Sequence, residues 1–255
     1  MSPILSKQQI DHWKARGWLV LGNVVPHHTS QSLVDWVDRL AQSPGPNEQR
    51  LHYFEQTDCG RMLCRTERYL EDHAELRRLI CEGTIPQLVG DVLGEPAVIY
   101  KEKVNYKSPG GAGFNAHQDA TAYAHARHHV TCLIAVDEMT PQNGCLEFAL
   151  GEFDGLLPDN GDGCLPAALE ERQEWFCAQV PAGGIVLFSS LVPHRSGPNM
   201  TCFPRRALYL TYNRASEGDQ RASYYRARAG RLAAAPARDG PVRLSTIGHF
   251  RGRHA

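Results

Sequence analysis

Apolar residues in the first third of the chain recur three or four positions apart. In "SLVDWVDRLAQ", Leu33, Val34, Val37 and Leu40 share one face of a helix that begins near Thr29 or Ser30, and "SPGPN" (Ser43 to Asn47) breaks it. Ahead of it, Ser6 and Gln9 have the spacing of a capping box, and Gly17 supplies a left-handed stop. "WLVL" (Trp18 to Leu21) predicts a short strand between the two helices. "EDHAELRRLI" and "IPQLVGDVLG" carry the helical period again and end near Gly94.

After Pro96 the period shortens to that of strands. "AVIYKEKVNYK", "HVTCLIAVDEM", "CLEFAL", "GGIVLFSS" and "RALYLTYNRA" are β-rich runs separated by Gly, Pro and Asn turns. Strands at this spacing after a helical part predict an antiparallel sandwich or barrel buttressed by helices. From about Arg226 the Ala/Arg-rich "RARAGRLAAAPARDGPVR" lacks both periods and reads as loosely ordered. No internal repeat is visible. The expectation is one domain over 1–255, with a helical part over about 1–95, a strand core over about 96–215 and a tail over about 226–255.

A chain of 255 residues can bury a substantial core. Its net charge of −1 provides no field to gather nucleic acid or an anionic membrane, so neither is expected as a partner. No apolar run approaches the roughly 18 residues of a membrane span, and the chain starts with the charged, amphipathic "SKQQIDHWKARGW". Eight cysteines without a Cys-x-x-Cys pair read as reduced thiols, which points to the cytoplasm. Oligomeric state leaves no mark in the sequence.

Chemistry concentrates in "FNAHQDATAYAHARHH" (Phe114 to His129), with four of the twelve histidines and Asp119. His117 and Asp119 are two apart, so on an extended segment they project to one face and can converge on an ion. His194, after the apolar run "GGIVLF", is the best third ligand. Two histidines and one carboxylate form the facial triad of non-haem Fe(II) oxygenases. A His and an Asp in an exposed turn remain the bland alternative. Arg205, eleven residues beyond His194 and followed by Arg206, offers the planar fork that holds a carboxylate in a barrel. Ser196 adds a hydroxyl nearby. A zinc hydrolase would use the same three ligands but would leave Arg205 without a task.

"HQD", "HVTCLIAVDEMTPQNGCLEFALGEF", "HRSGPNMTCFPRRA" and the opening "GWLVLGNVV" resemble the phytanoyl-CoA dioxygenase family of Fe(II)/2-oxoglutarate oxygenases, over roughly residues 6–220. The resemblance implies a mostly β fold with flanking helices and a double-stranded β-helix (jelly-roll, cupin-like) core. It also implies Fe(II), with 2-oxoglutarate and O₂ as co-substrates. His117, Asp119 and His194 would be the iron ligands and Arg205 the partner of the distal 2-oxoglutarate carboxylate, with Arg206 as the fallback should Pro204 shift the register. Related halogenases lack the carboxylate ligand; Asp119 is present, which implies hydroxylation coupled to conversion of 2-oxoglutarate to succinate.

Pocket residues follow from alternation. In "IYKEKVNYK", Lys101, Lys103, Asn105 and Lys107 share one face, and Tyr100, Glu102, Val104 and Tyr106 the other. Either this is an edge strand guarded by lysines, or Lys103 and Asn105 face an anionic co-substrate or substrate inside the barrel. Thr131 either lines the 2-oxoglutarate pocket or packs in the sheet. If Arg205 points inward then so do Tyr209 and Asn213, which become candidate substrate contacts, as does Tyr123. Arg65 and Glu67 in "CRTERY" read as a surface ion pair that closes over the site at most. His125, His128 and His129 read as solvated rather than as a second metal site. The stretch "YKEKVNYKSPGGAGFNAHQDATAY" is most similar to small-phosphonate hydroxylases acting on 2-aminoethylphosphonate or its N-trimethyl analogue, which implies hydroxylation α to phosphorus. An amino-acid derivative or a secondary metabolite is the alternative substrate. A non-catalytic jelly-roll binding protein is the alternative of another class.

Overall fold

In the computed structural model, which describes residues 3–42, 49–58, 60–123, 127–234, 249–251 and 253–254, the capping box forms as its spacing predicts. Gln9 N donates to Ser6 Oγ at 3.3 Å and Ser6 N donates to Gln9 Oε1 at 2.8 Å, starting α1 (Lys7–Arg16). Gly17, at φ 68°, ends it and turns the chain into β1 (Trp18–Leu21). Helix α2 (His27–Ala41) buries Leu33, Val37 and Leu40. The helical part expected over 1–95 is then interrupted by a hairpin, β2 (Leu51–Thr57) and β3 (Gly60–Glu67). Their alternating side chains are largely polar, which hid them from a hydrophobic-period reading. Helices α3 (Ala74–Cys81) and α4 (Thr84–Leu93) follow, the latter stopped by Gly94 at φ 78°.

The strands come next: β4 (Ala97–Lys107), β5 (Phe114–His117), β6 (His129–Ala135) and β7 (Leu146–Ala149). Then come α5 (Ala167–Glu170), β8 (Trp175–Ala178), β9 (Ile185–Ser189), β10 (His194–Ser196) and β11 (Arg205–Arg214). The tail expected to be loosely ordered from about 226 instead contains α6 (Arg221–Ala234) and the short β12 (Arg253–His254); residues 235–248 lie outside the described ones. Its Tyr224, Tyr225 and Arg228 are buried, so one face of this Ala/Arg-rich helix packs on the sheet.

Two antiparallel sheets make a double-stranded β-helix. The larger runs β1-β9-β6-β11-β4-β3-β2-β12 and the smaller β5-β10-β7-β8. Between them, Trp18, Leu133, Phe148, Val186 and Phe188 form an apolar core that closes one end of the interior. Helices α2, α3 and α4 cover the outer face of the larger sheet, setting Leu33, Val37, Leu76, Ile80 and Leu88 against Val104, Ile134, Leu208 and Leu210. Strand β4 pairs with β11 on one side and β3 on the other, so the edge-strand reading of its lysines is wrong. Its Lys101, Lys103, Asn105 and Lys107 face inward; Lys101, Asn105 and Lys107 are buried and Lys103 is half-buried. The seven described cysteines are free thiols.

Candidate active site

His117 ends β5, and Asp119 opens a single 3₁₀ turn beyond it; the extended Gln118 between them keeps both side chains on the inner side. Gln118 points the other way, donating to Gly155 O (2.9 Å) and accepting from Leu157 N (2.7 Å), which pins the turn to a neighbouring loop. His194 begins β10, directly opposite His117 in the β5–β10 register. Among the described residues these three form the one cluster able to hold a metal ion, their ligand atoms all within 4.8 Å of one another.

Both imidazoles are oriented for that task. His117 Nδ1 lies 2.7 Å from Asn115 O, and His194 Nδ1 lies 3.0 Å from Val192 O. A carbonyl oxygen only accepts, so each Nδ1 carries the proton and each Nε2 keeps its lone pair for a ligand bond. Burial holds His117 well below, and His194 below, the usual imidazole range, so both rings are neutral. Burial opposes ionisation of Asp119, but attraction to the groups that face it, His194, Lys103, Lys101 and His117, outweighs burial and keeps the carboxylate ionised. Two neutral nitrogens and one anionic oxygen fit a divalent iron, with open positions left for co-substrates.

Deeper along the interior, Arg205 is 1% exposed and Nη2 donates to Gly144 O at 2.8 Å, while its Nε and Nη1 are buried without a hydrogen-bond partner. Lys107 donates to Ser196 Oγ at 2.9 Å and to the same Gly144 O at 3.3 Å. Unpaired buried donors on a guanidinium are costly, and a carboxylate fits them. Arg206 faces the opposite way and is fully engaged by Asp137 (2.8 Å) and Asp38 (2.5 Å). Pro204 therefore does not shift the register, and Arg205 is the inward arginine.

The cavity beside the triad is walled by cations. Lys101 and Lys103 line it from β4, Arg65 from β3 and Arg228 from α6. Arg65 donates from Nε to Asn105 Oδ1 at 3.1 Å, and Glu67 sits 3.4 Å from Arg65 and 3.2 Å from Arg228. The surface ion pair expected for Arg65 and Glu67 is instead buried, because β3 is a strand of the sheet rather than a segment preceding it. Burial pushes the Lys101 ammonium down to about 8 and Lys103 well below its usual value. Tyr209 and Ser196 also line this cavity.

Three expected contacts do not line the cavity. Thr131 hydrogen-bonds Thr211 (3.0 Å), which in turn meets Tyr123 Oη (3.4 Å), so Thr131 and Tyr123 back the wall instead of forming it. Asn213, beyond the β11 bulge at Thr211/Tyr212, donates to Arg214 O and Gly218 O and holds the following loop. His128 pairs with Glu217 at 2.7 Å, and His129 packs against Tyr100 and Tyr123 at 4.6 Å each; neither joins a metal cluster, and His125 lies outside the described residues. Sequence reasoning missed Tyr224, Arg228 and His249 in the wall. Tyr224 and Arg228 stand four apart, a helical spacing that flags the first two; nothing local flags His249.

A double-stranded β-helix with two histidines and a carboxylate on its inner face defines the class of Fe(II)- and 2-oxoglutarate-dependent oxygenases. Solved structures agree on the fold: EctD from S. alaskensis with 2-oxoglutarate and 5-hydroxyectoine superposes at a TM-score of 0.72 with 20% identity, covering 85% of this chain and 78% of that one. The epimerase SnoN, in complex with Fe3+, alpha ketoglutarate and nogalamycin RO, superposes at 0.71 with 18% identity and 93% of each chain covered. The family model described as phytanoyl-CoA dioxygenase matches residues 13–207, and the chain belongs to that family of dioxygenases. It is 42% identical to the methylphosphonate hydroxylase of Gimesia maris over 100% of this chain and 99% of the relative. It is 35% identical to a 2-aminoethylphosphonate dioxygenase of an uncultured bacterium, over 87% and 86%.

Proposed function

We propose that the chain, as one domain over residues 1–255, is an Fe(II)- and 2-oxoglutarate-dependent hydroxylase of a small organophosphonate, acting on the carbon α to phosphorus. The observation that carries this reading is the cationic wall beside the triad, made of the buried Lys101 and Arg65 and the half-buried Lys103. Cations this deeply buried require an anion, and two oxygens of a phosphonate dianion match them better than a zwitterionic amino acid does.

His117, Asp119 and His194 would hold the iron, which with 2-oxoglutarate and O₂ supplies the oxidising power for an unactivated C–H bond. Arg205 would take the distal carboxylate of 2-oxoglutarate through its unpaired Nε and Nη1, beside Ser196 and Lys107. Lys103 and Lys101, with Asn105 holding Arg65 in place, would fix the phosphonate so that its α-carbon faces the triad. The apolar core behind the site keeps water from the interior. Among the described residues no helix is long and apolar enough to cross a membrane, in keeping with an enzyme of the cytoplasm.

One observation favours a particular substrate within this class. The aromatic faces near the cavity already carry protein cations: Lys101 lies 4.3 Å from the Tyr123 centroid and 5.6 Å from Tyr224, and Lys103 lies 4.9 Å from Tyr209. A substrate ammonium would compete with them, which favours an alkylphosphonate such as methylphosphonate over a 2-aminoethylphosphonate type. Succinate formation and ³¹P spectra with methylphosphonate, 2-aminoethylphosphonate, its N-trimethyl analogue and an amino-acid panel test the reading. Turnover of amino-acid derivatives without any phosphonate product would overturn it, and no succinate with any compound would favour a binding protein.

A further inference from the structure

The last described segment of the chain joins the two sheets beside the triad. Phe250 bridges Phe114 of β5 in the smaller sheet, their rings 5.3 Å apart, and β12 then pairs with β2 in the larger sheet. At its head, His249 is 5% exposed and stacks on the ring of His117, with centroids 3.7 Å apart and planes at 27°. His249 Nε2 lies 2.9 Å from Gly163 O, so that nitrogen carries the proton and anchors the ring from behind.

The same segment also grips the backbone that orients His117. Asn115 N donates to His249 O at 2.7 Å, and Arg251 N donates to Gly113 O at 3.0 Å. The Arg251 guanidinium reaches Asn115 Oδ1 at 2.6 Å. Asn115 O is the acceptor that fixes the His117 Nδ1 proton at 2.7 Å. His117 is therefore held twice by one segment, through its ring face and through its hydrogen-bond acceptor.

We infer that His249 is a positioning residue for the ligand His117, and that the segment around it is a built part of the active site instead of a trailing end. The inference rests on the metal-centre reading above. An imidazole free to turn about its Cβ–Cγ bond directs its Nε2 lone pair at the ion for only part of the time. A stacked ring with its own anchor removes that freedom before the metal arrives. Residues that orient a metal ligand from behind typically change metal affinity by about 10–100-fold when removed.

Anaerobic titration of the full chain with Co(II), followed by its visible absorption, separates the two ideas. If the parent protein binds no Co(II) at this site, the metal-centre reading fails and the inference with it. If it binds, His249→Ala should weaken affinity by about 10–100-fold and change the ligand-field bands, while apo Tm stays near the parent value. His249→Phe, which keeps a ring against His117, should restore most of the affinity. Should the alanine variant not fold, His249→Gln against His249→Phe decides: the ring-bearing variant must bind Co(II) more tightly. Parent-like affinity and bands in every folded variant that lacks a ring overturn the inference.

Discussion

Lys107 and Arg205 stand opposite each other on the β4–β11 ladder and donate to one and the same carbonyl oxygen, that of Gly144, at 3.3 and 2.8 Å. Two buried cations share this neutral acceptor, and the further partners of Lys107, Ser196 Oγ and Gly197 O, are neutral as well. Burial, reinforced by the charge of Arg205, holds the Lys107 ammonium well below its ordinary range. The acceptor itself needs a glycine: residue 144 has φ +72°, and a Cβ there would strike Gly197 O and come within 2.8 Å of Lys107 Nζ. Two like charges held this close are costly on their own, and an anion placed beside them makes the arrangement favourable.

From this follows the first prediction, on the co-substrate. Replacing Arg205 by Met removes the two unpaired donors, and a lost buried charge pair is worth about 2–5 kcal/mol, roughly a 30- to 4,000-fold change in affinity. The dissociation constant for 2-oxoglutarate should rise on that scale in Arg205→Met. Arg206→Met should leave it unchanged and lower Tm instead, because Arg206 ties Asp137 and Asp38 on the outside. Equal 2-oxoglutarate affinity in the parent and Arg205→Met would contradict the assignment.

The triad supplies the second prediction. His117 and His194 are neutral, buried rings whose removal leaves no charge unpaired, so His117→Ala and His194→Ala should abolish Fe(II)-dependent succinate formation while apo Tm changes little. Asp119→Ala should also abolish turnover, but it removes the counter-charge of Lys101 and Lys103 and should lower apo stability as well. Circular dichroism melts of the three apo variants, beside their activity, give the comparison. Retained turnover in His194→Ala would exclude it as a ligand.

A third prediction concerns pH. Burial brings Lys101 from 10.5 down to about 8 in the folded chain. Between those values the unfolded chain binds a proton that the folded chain does not, so stability rises with pH across the window, and the cost of the buried charge is present in full below about 8. Anion binding runs the other way, since it needs the charged form. KM for a phosphonate should rise by up to about tenfold per pH unit above 8, and Lys101→Met should show a higher KM at neutral pH, a flatter profile and a higher apo Tm. Identical pH profiles for the two proteins would remove Lys101 from the site.

Much of this site was legible because the residues lie on regular strands. Alternation alone puts Lys103 and Asn105 of β4 on the inner face with Arg205 and Tyr209 of β11, and the structure pairs Tyr209 with Lys103 in register. Alternation failed at Asn213, where a bulge and the strand end intervene, and it overstated Thr131, whose hydroxyl is satisfied by Thr211 before it reaches the cavity. Arg65 and Glu67 were misjudged because charged residues read as surface unless their partners are known, and those partners lie 40 and more positions away in Asn105 and Arg228. His249 shows the limit most clearly. Its neighbour His117 is 132 positions distant, and only the tertiary fold brings them together.

The Glu67–Arg228 pair carries the last prediction. Arg228 comes from α6, in the stretch whose composition suggested disorder, and its guanidinium meets Glu67 at 3.2 Å and Tyr53 Oη at 2.9 Å. Burial opposes ionisation of Glu67, and Arg228 with Arg65 overcomes it, so the carboxylate is charged and depends on both. Removing one partner of a buried pair typically costs about 3–5 kcal/mol, whereas replacing both by apolar groups is often neutral. Arg228→Met and Glu67→Leu should therefore each lower Tm sharply, and the double variant should recover much of the loss. The two losses simply adding would show that the pair is not coupled. Arg228→Met should also raise KM for the phosphonate, since it strips one cation from the cavity wall while leaving 2-oxoglutarate affinity at Arg205 unchanged.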